Sequence, residues 1–138
     1  MATIQTRYSG DLRTEAQHIQ TGNRLITDAP TDNQGKGEAF SPTDLLATSL
    51  GSCILTIMGI AARASGFSID ETIIDITKIM AADPRRVAEI RCEFYFPDFL
   101  YSDKQKKILI RASETCPVAK SLHPDLKQTL IFHWAKGK

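Results

Sequence analysis

Eighteen consecutive residues, Leu45 to Ala62, carry no charge, and the run is bounded by Asp44 and Arg63. This stretch limits what the chain can fold into. Its start is well marked. Ser41 suits an N-cap, Pro42 fits the first helical position, and Asp44 gives an acidic version of the capping box. Leu46, Leu50, Cys53, Ile57, Ala61 and Ala64 recur at spacings of three and four and so share one helical face. Gly66 reads as the C′ stop. Leu45, Ile54, Met58 and Ile60 spread apolar surface around most of the circumference. Such a helix must be covered on nearly every side. Eighteen residues is short for a membrane span, and two Thr, two Ser and two Gly dilute it. The reading is therefore a core helix, not a membrane segment.

What can cover it follows from the rest of the chain. At 138 residues the sequence reads as a single domain, 1–138, with no linker, repeat or low-complexity tract. Residues 3 to 30 read as three short strands, with turns at Ser9-Gly10 and at Thr21-Gly22-Asn23. Residues 28 to 41 form a polar loop containing glycine. After the helix, "ETIIDITKIM" has strand composition. "RVAEIRCEFYF" alternates, with Ala88, Ile90, Cys92, Phe94 and Phe96 on one face, and Asp83-Pro84 supplies the turn. A second helix opens at Ser102-Asp103 with Ile108, Leu109 and Ala112 inward, and "QTLIFHW" closes the chain as a strand. The order βββ-α-ββ-α-β predicts an α+β fold with antiparallel sheet. One small sheet covers one side of the central helix, so a second subunit is expected on the other.

Charge excludes some functions. Seventeen basic and sixteen acidic residues are well mixed, and aromatics do not alternate with Lys or Arg, so nucleic acid is not an expected partner. The paired Arg85-Arg86 reads as a solvated turn. The first twenty residues lack an apolar core segment, so no signal peptide is expected and the cytoplasm is the expected location, where thiols stay reduced. The three cysteines are spaced by 39 and 24 residues, and His18, His123 and His133 make no i,i+4 pair with them. No metal site is expected.

Each thiol reads differently. Cys92 lies on the apolar face of an alternating strand and behaves as a small hydrophobe. Cys53, on the helical stripe, fits a core thiol as well as a reactive one; Gly51 and Ser52 remove bulk beside it, which opens a small pocket or admits a crossing helix. Cys116 precedes Pro117, and "CPVAKSL" reads as a fresh helical turn that sets the sulfur at a helix N-terminus, where N–H groups favour thiolate.

Three blocks carry a resemblance: "TDAPTDNQGKGEAFSPTDLLATSLGSCILTIM" (27–58), "KIMAADPRRVAEI" (78–90) and "CPVAKSLHPDL" (116–126). In that order they resemble the family of osmotically inducible protein C and the organic hydroperoxide resistance proteins (OsmC/Ohr-like). The resemblance implies antiparallel sheets flanking long central helices in an intertwined homodimer. It also implies a thiol peroxidase that reduces small organic hydroperoxides in oxidative-stress defence, with Cys53 peroxidatic and Cys116 resolving. No cofactor is implied; an external dithiol or lipoyl-protein restores the thiols. A free thiol, with a pKa of about 8.5, is mostly protonated at neutral pH, so a cation is needed beside it. Members of the family place an Arg there, oriented by a Glu near the start of the central helix. Here position 43 is Thr, Asp44 is the candidate acid, and Arg13, followed by Arg24, is the candidate cation; loop 28–41 offers only Lys36. The alternatives are a non-catalytic dimeric protein that binds a small ligand or senses oxidation, and a purely structural homodimer.

Overall fold

The computed structural model describes residues 1–136. The chain gathers into two units, Met1–Leu46 and everything from Ala47 onward.

In the first unit, β1 (Ile4–Gly10), β2 (Arg13–His18) and β3 (Arg24–Asp28) form an antiparallel sheet in chain order. The loop after β3 contains one 3-10 turn, Thr31–Asn33, and then runs back beside the strand. Asp28 N–H donates to Phe40 O at 3.0 Å, and Thr27 bridges Phe40. Helix α1 (Pro42–Ala64) opens on the expected box: Asp44 N–H donates to Ser41 Oγ (3.0 Å) and Ser41 N–H to Asp44 Oδ2 (2.9 Å). It closes as expected too. Gly66 adopts φ +80°, Gly66 N–H donates to Arg63 O and Phe67 N–H to Ala62 O, the paired bonds of a Schellman stop.

In the second unit, β4 (Ile73–Ala81), β5 (Arg86–Tyr95) and β6 (Lys127–His133) make a three-stranded sheet with β5 central. β4 and β5 are antiparallel, but β5 and β6 are parallel, which departs from the expected all-antiparallel pairing. Two helices, α2 (Asp103–Ser113) and α3 (Pro117–Ser121), stand between β5 and β6; they carry the chain back to the starting end of β5, as a parallel pair requires. A full capping box at Ser102 and Gln105 starts α2. Arg86 turns its guanidinium onto the carbonyls of Ala82 and Pro84, closing the hairpin.

The core lies between this sheet and α1. Ile90, Cys92 and Phe94 on β5 are wholly buried, as are Leu50, Ile54 and Met58 on α1 and Leu109 on α2. Burying side chains of this size stabilises by about 1.5–3 kcal/mol apiece. Two details differ from the sequence reading. Pairing slips between Ile79 and Met80, so Val87 is buried in place of Ala88. On α1 the buried stripe is Ala47, Leu50, Gly51, Ile54, Met58 and Ala62; the stripe through Leu46, Cys53 and Ile57 is only half-covered. Period alone fixes no face on a helix that is apolar nearly all round. α1 is long and apolar enough to cross a bilayer, and about a third of that apolar stretch, including Leu50, Ile54 and Met58, is buried inside this chain.

Candidate active site

Gly51 explains how α1 meets the sheet. A Cβ at this position would fall 2.5 Å from Cδ1 of Ile76 and 3.0 Å from Cδ1 of Ile74, both on β4. The glycine thus admits a strand, not a space beside the thiol, and Ser52 points to solvent. Two residues on from Gly51, Cys53 is half-buried.

Cys116 is the N-cap of α3. Its backbone is extended, Pro117 takes the first helical position, and Ala119 N–H donates to its sulfur at 3.4 Å. The side chain is completely buried and hydrogen-bonds with the Cys53 side chain. The two sulfurs are free thiols in contact. Burial pushes the Cys116 thiol up; the hydrogen bond to Cys53 and the charge of Cys53 push it the same way. The N–H groups of Ala119 and Val118 pull it back, as expected at a helix start, but the net shift is upward. Burial outweighs one turn of amides. Cys92, also wholly buried, is pushed up to about 11 by burial and, secondarily, by the charge of Cys116.

Arg13 sits in the first unit with two acids. Its Nη2 lies 3.1 Å from Glu38 Oε1 and 3.5 Å from Asp28 Oδ2. Asp28 is wholly buried, and its Oδ2 also accepts from Glu38 N–H at 2.9 Å. That backbone bond holds the Asp28 carboxyl below the usual carboxylate range, with Arg13 adding to it, against the effect of burial. Glu38 is the largest influence raising Arg13. The acids on Arg13 are thus Asp28 and Glu38, at the two ends of the loop after β3. Sequence reading missed both, because a polar loop shows no pattern that marks which carboxylate returns to a strand. Asp44 shares its capping box with Ser41, and Arg24 pairs with Glu15. Among the described residues, no group of three or more His, Cys, Asp or Glu could hold a metal ion.

Residues 35–130 match the sequence profile of the family described as OsmC-like protein. The chain belongs to the OsmC-like family. A crystal structure of a candidate osmotic stress induced and detoxification response protein from Psychrobacter arcticus 273-4 is 57% identical, covers 96% of both chains and superposes with a TM-score of 0.92. More distant structures share the OsmC-like fold. An organic hydroperoxide resistance protein OsmC from Legionella pneumophila is 15% identical (TM-score 0.75; 97% of this chain, 98% of that one). The organic hydroperoxide resistance protein OhrB of Bacillus subtilis is also 15% identical (TM-score 0.65; 96% and 98%). None of the curated proteins matches the chain significantly. The α+β architecture expected of an OsmC-like chain is present, with two small sheets and three helices among the described residues.

Proposed function

We propose that this protein is a two-cysteine peroxidase that reduces organic hydroperoxides in the cytoplasm. The observation that carries this reading is the contact between a half-exposed thiol, Cys53, and a buried one, Cys116. A hydroperoxide reaches Cys53 first. The Cys53 thiolate attacks the terminal peroxide oxygen, the O–O bond breaks, and the alkoxide takes a proton and leaves as alcohol. Cys53 is now a sulfenic acid.

Burial and Cys53 together hold Cys116 as a thiol while Cys53 is reduced. Its S–H donates to the Cys53 sulfur, which keeps the two sulfurs together for the step that joins them. Cys53 as a sulfenic acid carries no thiolate charge, so the charge of Cys53 no longer raises Cys116. Cys116 then ionises more readily and attacks the Cys53 sulfur; water leaves and a disulfide remains. An external dithiol or lipoyl-protein supplies two electrons to restore both thiols. Timing is thus built into the pair: the resolving thiol stays inert until it is needed.

Arg13 is the proposed cation for the peroxide, on the strength of the family resemblance. Asp28 and Glu38 are its acids here; Asp44 contributes through the start of α1. The working unit is proposed to be a homodimer.

The test is single-turnover thiol loss with one equivalent of cumene hydroperoxide. Stoichiometric Cys53–Cys116 disulfide is expected, abolished in Cys53→Ser and formed at least tenfold more slowly in Arg13→Ala. No oxidation at Cys53, under conditions that oxidise a small free thiol, would sink the peroxidase and favour the non-catalytic ligand-binding or redox-sensing reading.

A further inference from the structure

We propose that Cys92 is a third redox thiol: after the Cys53–Cys116 bridge forms, Cys92 attacks the Cys116 sulfur, moves the disulfide into the core and returns Cys53 as a free thiol. This rests on the two-cysteine reading and extends it.

The geometry lies in how α3 is tied to the sheet. Cys92 sits on the buried face of β5, opposite Ile76 on β4 and Leu130 on β6. Gln128, two residues before Leu130 and opposite Ile90, donates from Nε2 to Ala119 O at 3.0 Å. Ala119 in turn donates its N–H to the Cys116 sulfur. The first turn of α3 is therefore anchored to β6 beside the part of β5 that carries Cys92. The same neighbourhood is seen in charge, since Cys116 acts on Cys92 and Cys53 acts on Cys116. Cys53 is half-buried and meets Cys116, while Cys116 and Cys92 are both wholly buried.

The exchange needs nothing from outside. Cys92 gives up its proton, its thiolate forms a bond to the Cys116 sulfur, and the Cys53–Cys116 bond breaks. Cys53 departs with the electron pair and takes up a proton. The number of disulfides is unchanged. The product differs in access: both bridged sulfurs are then buried, so an external dithiol reaches them more slowly than it reaches a bridge that includes Cys53.

The step is slow at neutral pH. Cys92 faces apolar Ile76 and Leu130 across the sheet, and Cys116 is the titratable group acting on it. With burial pushing Cys92 to about 11, about one molecule in ten thousand is thiolate at pH 7. Relocation therefore belongs on the scale of minutes to hours. It matters when the reductant is scarce and the first bridge persists.

The experiment oxidises the wild-type chain with one equivalent of cumene hydroperoxide at pH 7.0 and at pH 8.5. Samples are quenched in acid over a day, alkylated and mapped by mass spectrometry. Expected is a Cys53–Cys116 bridge that gives way to Cys92–Cys116 as Cys53 becomes alkylatable again, about thirtyfold faster at the higher pH. Cys92→Ala, or Cys92→Val if alanine unfolds the core, should keep the first bridge for the whole day. A Cys53–Cys116 bridge that stays the sole product in wild type at pH 8.5 overturns the relay and leaves the peroxidase standing. Absence of any Cys53–Cys116 bridge overturns both.

Discussion

At position 51 a single methyl group tests how closely α1 and β4 are fitted. Alanine is favoured over glycine within a helix by about 1 kcal/mol. Here its Cβ meets the ends of Ile76 and Ile74 at 2.5 and 3.0 Å, and overpacking of this kind costs about 1–3 kcal/mol. The second effect wins, so Gly51→Ala should destabilise by roughly 1 kcal/mol. Ile76→Val removes the atom that is closest. Alone it should cost about 1 kcal/mol; in the Gly51→Ala background it should cost close to nothing. Urea unfolding of the four proteins gives the coupling directly. Additive effects would mean that Gly51 is not there for β4. The sequence reading linked Gly51 to the thiol two residues away because local neighbours are all that a sequence displays; the strand that needs the space comes later in the chain. Cys53 and Cys116 were legible as a pair only through the family resemblance, since neither thiol's own surroundings in the sequence distinguish a reactive sulfur from a packed one.

Among the elements, the loop between β3 and α1 depends most on one side chain. Asp28 Oδ2 accepts from Glu38 N–H at the far end of the loop and from Arg13 on β2. Its carboxyl is held low by that amide first and by Arg13 after it. A depressed carboxylate contributes stability that is fully present above its unfolded value, about 4, and is lost as pH falls through the lower folded value. Asp28→Asn should therefore lower the unfolding midpoint at pH 7, and the gap to wild type should close in acid. Hydrogen exchange supplies a second readout: the Glu38 amide should lose protection in the variant. A gap that persists unchanged to pH 2 would mean that the charge of Asp28 is not what holds the loop. Helix and strand positions were readable beforehand because each has its own local signal: Ser41 and Pro42 open α1, Gly66 stops it, and alternation marks β5. Tertiary choices left no such signal. The parallel pairing of β6 and the partners of Arg13 depend on residues far apart in the chain, and the slip that buries Val87 lies in a hairpin whose alternation is visible but whose register is not.

For the whole molecule the question is what completes its apolar surface. Single exposed apolar residues are ordinary on soluble proteins. Here they are large and occur on both units: Tyr8, Ile26 and Phe40 in the first, Ile60, Ile73 and Leu100 in the second, all more than half exposed. On α1 the stripe through Leu46, Cys53 and Ile57 is only half-covered, although the sequence predicts a helix that requires cover nearly all round. A second copy of the chain would meet that requirement, and the homodimer proposed above is its simplest form. Sedimentation equilibrium should return twice the 15.3 kDa of one chain across a wide range of protein concentration. Ile60→Glu would place a charge on the open face of α1 at a position already 59% exposed, where one chain by itself loses little by the change. If Ile60 is buried against a partner, the variant should sediment toward 15.3 kDa, or its association should weaken by at least tenfold. A wild-type chain that sediments as a monomer at every concentration would refute the dimer. The half-covered face of α1 would then be a surface exposed to solvent, with Cys53 at its edge.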